Sequence, residues 1–261
     1  MSKFFILFLI FFLAQSCSIF TRGKKSTDSG GSVTENSKRR YKLTDKAGEF
    51  IVYKENGLKS GDKTYISKRE VLPFDDDSTK VLEQSVAISK VGVLSKKMKI
   101  MRPYKSQYAV WFDGKKYTTN MTLNESSRSL VVKMKSPEKQ WNGRKSFNFP
   151  DSKAIYCFFT QVLECTAITG YFKKAFEKGR GQMNFYLIWD GFPYFQEQYL
   201  NIPDSIFTKA KLNYDGKNKN GERRFSLNFA GQVIFFLFDE KYNFIKKFWI
   251  SQGLSMVLSE K

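Results

Sequence analysis

Tyr108-Ala109-Val110-Trp111-Phe112-Asp113-Gly114-Lys115-Lys116-Tyr117-Thr118-Thr119-Asn120-Met121-Thr122-Leu123 is the stretch that decides the fold. An aromatic and β-branched run enters an Asp-Gly pair and leaves as a second run. A two-residue type I′ turn needs positive φ at both central positions, which Asp-Gly tolerates, so the stretch predicts an antiparallel hairpin. The outgoing arm alternates. Tyr117, Thr119, Met121 and Leu123 share one face, and Lys116, Thr118, Asn120 and Thr122 share the other. Leu130, Val132 and Met134 continue the apolar face, with Lys133 and Lys135 opposite.

Upstream, Phe50-Ile51-Val52-Tyr53 predicts a first strand, with turn signals at Asn56-Gly57 and Ser60-Gly61-Asp62. Residues 87–101 read as one bent, basic strand. Downstream, strands are expected at 183–189, 194–200, 206–212, 225–229, 233–238 and 244–250. Asp190-Gly191, Asp215-Gly216, Asn220-Gly221, Ala230-Gly231 and Asp239-Glu240 mark the turns between them. Strands at this spacing predict an antiparallel meander that curls. Phe244, Ile245, Phe248 and Trp249 fit a helical face as well. One helix is expected after Phe149-Pro150-Asp151, where Ile155, Phe158, Phe159, Val162, Leu163 and Thr166 recur at helical spacing. Either Gly170 closes it or residues 171–177 form a short second helix. The fold class is therefore mainly β (α+β): a curved antiparallel meander or half-barrel packed around one apolar helix.

The chain begins Met1-Ser2-Lys3, followed by an apolar run at residues 4–14 and then Leu13-Ala14-Gln15-Ser16-Cys17. A run of about 11 apolar residues matches a signal-peptide core; spanning a bilayer takes roughly 20. The small residues before Cys17 resemble a bacterial lipobox, although the leucine is one place early and Gln15 replaces a small residue. The resemblance implies cleavage after Ser16, lipidation of Cys17, and a place in the cell envelope. Ser18 in the following position implies the outer membrane. Residues 1–16 then form the signal peptide. Residues 17–42, rich in Ser, Thr, Gly and charge, form a flexible tether. Residues 43–84 are a loosely structured extension, and 85–261 are the β-rich globular domain.

The formal net charge is +19, of which residues 18–42 carry +5. A field of this size attracts anions: anionic lipid, lipopolysaccharide phosphates or an acidic envelope partner. Otherwise it is only a solvated basic surface. Lysine interleaved with aromatics, as in Phe244-Ile245-Lys246-Lys247-Phe248-Trp249, also suits base stacking, but the export signal argues against nucleic acid. The chain has no histidine. That absence excludes Ser-His-Asp and Cys-His catalysis and histidine metal sites. No cofactor or metal is implied. Asp75-Asp76-Asp77 lacks the spaced ligands of a calcium loop and reads as a solvated turn.

Cys157 and Cys165 are candidates for a disulfide in an oxidising compartment. On one continuous helix they would rise about 12 Å apart, too far to bridge, so either the helix breaks between them or the thiols stay apart. Phe158, Phe159, Val162, Trp111 and Trp189 are candidates to line a cavity between helix and sheet.

With this element order, residues 85–261 resemble, in architecture, the half-barrel periplasmic domains of bacterial lipoprotein carriers. The resemblance implies an apolar cavity, and Cys17 implies an anchored, acceptor-like role. The expected function is a non-enzymatic envelope lipoprotein that binds a lipid, acyl chain or envelope partner. The alternatives are an adaptor with a filled core and a histidine-independent enzyme.

Overall fold

The computed structural model describes residues 36–59, 63–74, 80–95 and 98–259. The expected signal peptide, Cys17, most of the expected tether and Asp75-Asp76-Asp77 lie outside them. The strands are β1 (Ser37–Asp45), β2 (Gly48–Lys59), β3 (Thr64–Pro73), β4 (Glu83–Ser95), β5 (Met98–Phe112), β6 (Lys115–Asn124), β7 (Ser129–Lys135), β8 (Gly143–Asn148), β9 (Tyr156–Phe158), β10 (Gln182–Ile188), β11 (Phe207–Lys217), β12 (Arg223–Phe229), β13 (Gln232–Phe238), β14 (Phe244–Trp249) and β15 (Leu254–Leu258). The helices are α1 (Val162–Ile168), α2 (Tyr171–Lys178) and α3 (Tyr194–Gln198).

All fifteen strands form one sheet, in the order β8-β7-β6-β5-β4-β3-β2-β1-β15-β14-β13-β12-β11-β10-β9. Neighbours pair antiparallel, except β9, which runs parallel to β10. The first and last strands meet in the middle, with Tyr41 opposite Leu258. The sheet is open but strongly curved: β9, at one end of the order, lies against β5 near the other. This is the expected mainly β meander. Its concave face holds one continuous apolar core, and α1, α2 and α3 lie in or against that face.

The Asp-Gly hairpin forms as read, with φ of 48° at Asp113 and 76° at Gly114. Several boundaries differ. Residues 37–42, assigned to the tether, are strand β1, and residues 43–84 contribute the rest of β1 with β2 and β3. Pairing with β2 along the whole of β1, and with β15 from Tyr41 onward, overrides the polar composition of residues 37–42. Asn56-Gly57 lies inside β2, and residues 87–101 split between β4 and β5. Residues 194–198 form α3, where Phe195 and Tyr194 bury one side of a single turn.

The expected helix starts late. Tyr156-Cys157-Phe158 is strand β9, paired with Tyr186, Leu187 and Ile188. A 3₁₀ turn follows at Phe159–Gln161, and α1 begins only at Val162. In so short an apolar run, spacing alone does not separate strand from helix. Gly170, at φ 76°, then turns the chain into α2.

Candidate functional site

The 3₁₀ turn and α1 sit on the concave face as a plug. Gln161 is fully buried and anchors them to β4, donating to the Ala87 carbonyl (2.7 Å) and accepting from the Ser89 hydroxyl (2.7 Å). Thr160 ties the plug to the end of β10: its N–H donates to Asp190 Oδ1 (3.2 Å) and its hydroxyl to Oδ2. A disulfide joins Cys157 in β9 to Cys165 in α1, Cα atoms 5.8 Å apart, because the chain changes direction between them. Gly191 follows Asp190, and a Cβ there would lie 2.8 Å from the Phe195 ring.

Beneath the plug is a cavity of about 80 Å³. Its floor is apolar, with Val52, Phe159, Val162, Phe195, Phe236 and Met256 among the lining. Four cations also line it: Arg39, Lys54, Arg69 and Lys247. Three of them form a row across adjacent strands, Arg39 opposite Lys54 and Lys54 opposite Arg69. Like charges placed directly opposite in a sheet are destabilising.

Two carboxylates answer the row. Glu164 on α1, 1% exposed, pairs with Lys54 and accepts from Asn56 Nδ2 at 3.2 Å. Glu83 on β4 pairs with Arg69. Among the described residues, Arg39 and Lys247 have no carboxylate within ion-pair range. Lys247 sits in an otherwise apolar row between Phe236 and Met256. Its ammonium lies 5.4 Å from the Phe159 ring centre and 5.9 Å from that of Trp249. The side chain keeps some accessible surface. The ammonium itself is deep enough that burial, then the charges of Arg69 and Lys54, lower its pKa to about 7. Burial likewise raises Asp190 to about 6, against the opposing hydrogen bonds from Thr160.

A second, larger feature lies where the two ends of the sheet approach each other. This crevice of about 840 Å³ has Ile100, Met101, Leu123, Phe149 and Ile155 along its apolar floor. Lys90, Arg102, Arg128 and Lys153 stand exposed on its rim. Among the described residues that line it, Glu125 is the one acid, and it bonds Lys90 at 2.8 Å.

The cavity residues expected from sequence are divided by the structure. Phe159 and Val162 line the interior cavity. Phe158 and Trp189 are fully buried in the core beside it; the Trp189 indole packs on Phe159 (4.7 Å between ring centres) and donates to Thr208 (2.9 Å). Trp111 is half-buried, opposite Lys116, whose ammonium lies 4.9 Å from its ring centre. The inward positions of β5 are Tyr108 and Val110, so Trp111 points away from the core and lines neither cavity.

No family model matches the sequence, and no curated protein matches it. Among solved structures, a β-barrel-like protein of a domain of unknown function, DUF1849, from Brucella abortus is similar to 84% of this chain over 93% of its own, at 10% identity and a TM-score of 0.44.

Sequence reading missed the cations. Lys54 alternates in phase with buried Val52, so parity marks it as inward-facing. The row with Arg39 and Arg69 becomes visible only when the register of three strands is known.

Proposed function

We propose that the protein is a lipid-anchored, non-enzymatic component of a bacterial cell envelope that binds an anionic amphiphile in the seam crevice. The observation that carries this reading is the crevice itself: an apolar floor under four exposed cations and one acid. An acyl chain suits the floor, and the phosphates of an anionic phospholipid or of lipopolysaccharide suit the rim. Its volume of about 840 Å³ falls within the roughly 300–1,000 Å³ of ordinary ligand pockets. The interior cavity, at about 80 Å³, is about half the size of an engineered cavity that takes up benzene, so it does not house an acyl chain. The lipobox supports anchoring through Cys17, with the outer membrane as destination, and the disulfide suits an oxidising compartment.

The test is extraction from native membranes followed by mass spectrometry of the protein and its copurified lipid. Cys17→Ala should move the protein to the soluble fraction, and Arg102→Ala with Arg128→Ala should strip the lipid. Copurification of no lipid by the wild type would remove the amphiphile reading. It would then favour an envelope adaptor without a ligand, a reading supported by the closely filled interior.

A further inference from the structure

We propose that the interior cavity beneath α1 binds one small oxyanion that carries its own hydroxyl, hydrogen phosphate, with Arg39 and Lys247 as its ligating cations. Charge, size and unsatisfied acceptors converge on this. Four cations line the cavity, and only Lys54 and Arg69 have carboxylate partners among the described residues. The Lys247 ammonium is withdrawn from water without a carboxylate, which is costly; Arg39 is half-buried beside Tyr41, and the row of facing cations is costly as well. A chain keeps such a local conflict where function requires it, and a bound anion resolves it.

The volume of about 80 Å³ suits one oxyanion group and its water and excludes a larger ligand. The acceptors select among oxyanions. Asn56 Oδ1 and Glu164 Oε2 are buried, belong to lining residues, and have no hydrogen-bond donor. A fully ionised carboxylate has no proton to give them. A protonated phosphate oxygen donates to these acceptors while its other oxygens accept from Arg39 and Lys247. Lys247 faces Lys54 and Arg69 across the cavity, and Arg39, Glu164, Phe159 and Trp249 complete its surroundings. An anion among these cations favours the protonated ammonium. The cavity shares no lining residue with the seam crevice, so the two readings stand or fall separately.

Calorimetric titration of the mature chain at pH 7 with inorganic phosphate, against acetate and chloride at equal ionic strength, tests the site. Phosphate should bind and raise the melting temperature, and acetate and chloride should not. Arg39→Met and Lys247→Met should each weaken phosphate by about tenfold or more. Arg39→Lys should keep part of the affinity, and the exposed Lys133→Met should keep all of it. Glycerol phosphate, larger than the cavity of about 80 Å³, should bind more weakly than phosphate, and tighter binding of glycerol phosphate would overturn the size argument. Phosphate heats equal to those of chloride, or wild-type affinity in both Met variants, would overturn it. Should a variant fail to fold, the phosphorus resonance of phosphate added to the wild type decides, and an unshifted, unbroadened line overturns the proposal.

Discussion

Lys54 and Glu164, 110 residues apart in the chain, form an ion pair inside the curved sheet that binds α1 to β2. Glu164 is 1% exposed and stands over the middle of a row of three cations. Glu164→Gln leaves Lys54 between Arg39 and Arg69 without its counter-charge. Removing one partner of a buried pair costs about 3–5 kcal/mol, whereas replacing both with apolar groups is often neutral. Glu164→Gln should therefore lower the urea midpoint strongly, and Lys54→Met with Glu164→Met should recover most of it. Equal effects of the single and double variants would show that the pair does not hold the plug.

Asp190 gives a pH signature. Its pKa is raised from 3.8 to about 6 by burial, so between these values the native state holds a proton that the unfolded state releases. Stability on this account falls as pH rises from 4 to 6 and stays lower above 6. Two units correspond to about 3 kcal/mol. Asn in its place keeps one acceptor for Thr160 and cannot ionise. Asp190→Asn should therefore flatten the denaturant midpoint between pH 4 and 6. An unchanged slope would mean that Asp190 titrates as an exposed carboxylate.

The sheet was legible where alternation is clean. On the arm after Asp113-Gly114, parity picks out Tyr117, Thr119 and Met121, which are buried, and Leu123, which is half-buried; Leu130, Val132 and Met134 are buried in the same phase. Strand and helix were confused where the run is short and apolar on all sides. Tyr156-Cys157-Phe158 pairs as a strand because β10 offers it a parallel edge, which spacing within the segment does not encode. The same break brings Cys157 and Cys165 within 5.8 Å. The cation row depends on register among β1, β2 and β3, and Lys247 enters the cavity from a strand nearly 180 residues further along. Proximity of that kind is a property of the curved meander, not of any local pattern.

The disulfide should carry measurable stability. It closes a loop with a separation of 8 residues, for which chain entropy gives about 2–3 kcal/mol. In a domain of this size that is about 5–10 °C in melting temperature. Cys157→Ala with Cys165→Ala should lose about that much, and a reductant should bring the wild type down to the same value. A melting temperature indifferent to reductant would argue that the thiols are not bridged.

The position of β1 sets the limit of N-terminal truncation. Composition places residues 37–42 in a dispensable tether, yet they form the first part of a strand paired on both sides. Arg40 pairs with Tyr53 on β2, while Tyr41 pairs with Val52 on β2 and with Leu258 on β15. Tyr41 itself is 4% exposed and packs on Phe244, with ring centres 5.8 Å apart. β1 joins the N-terminal and C-terminal halves of the sheet, so cutting into it unpairs both. A chain beginning at residue 36 keeps the whole of β1 with its pairings and should fold and melt cooperatively above 37 °C. A chain beginning at residue 43 loses Tyr41 from the core, where deleting a large aromatic costs about 3–5 kcal/mol. It also exposes the backbone edges of β2 and β15. Against a total of roughly 5–15 kcal/mol, that chain should be unfolded or aggregated at 37 °C. Equal melting of the two truncations would show that β2 and β15 hold together without residues 37–42 between them.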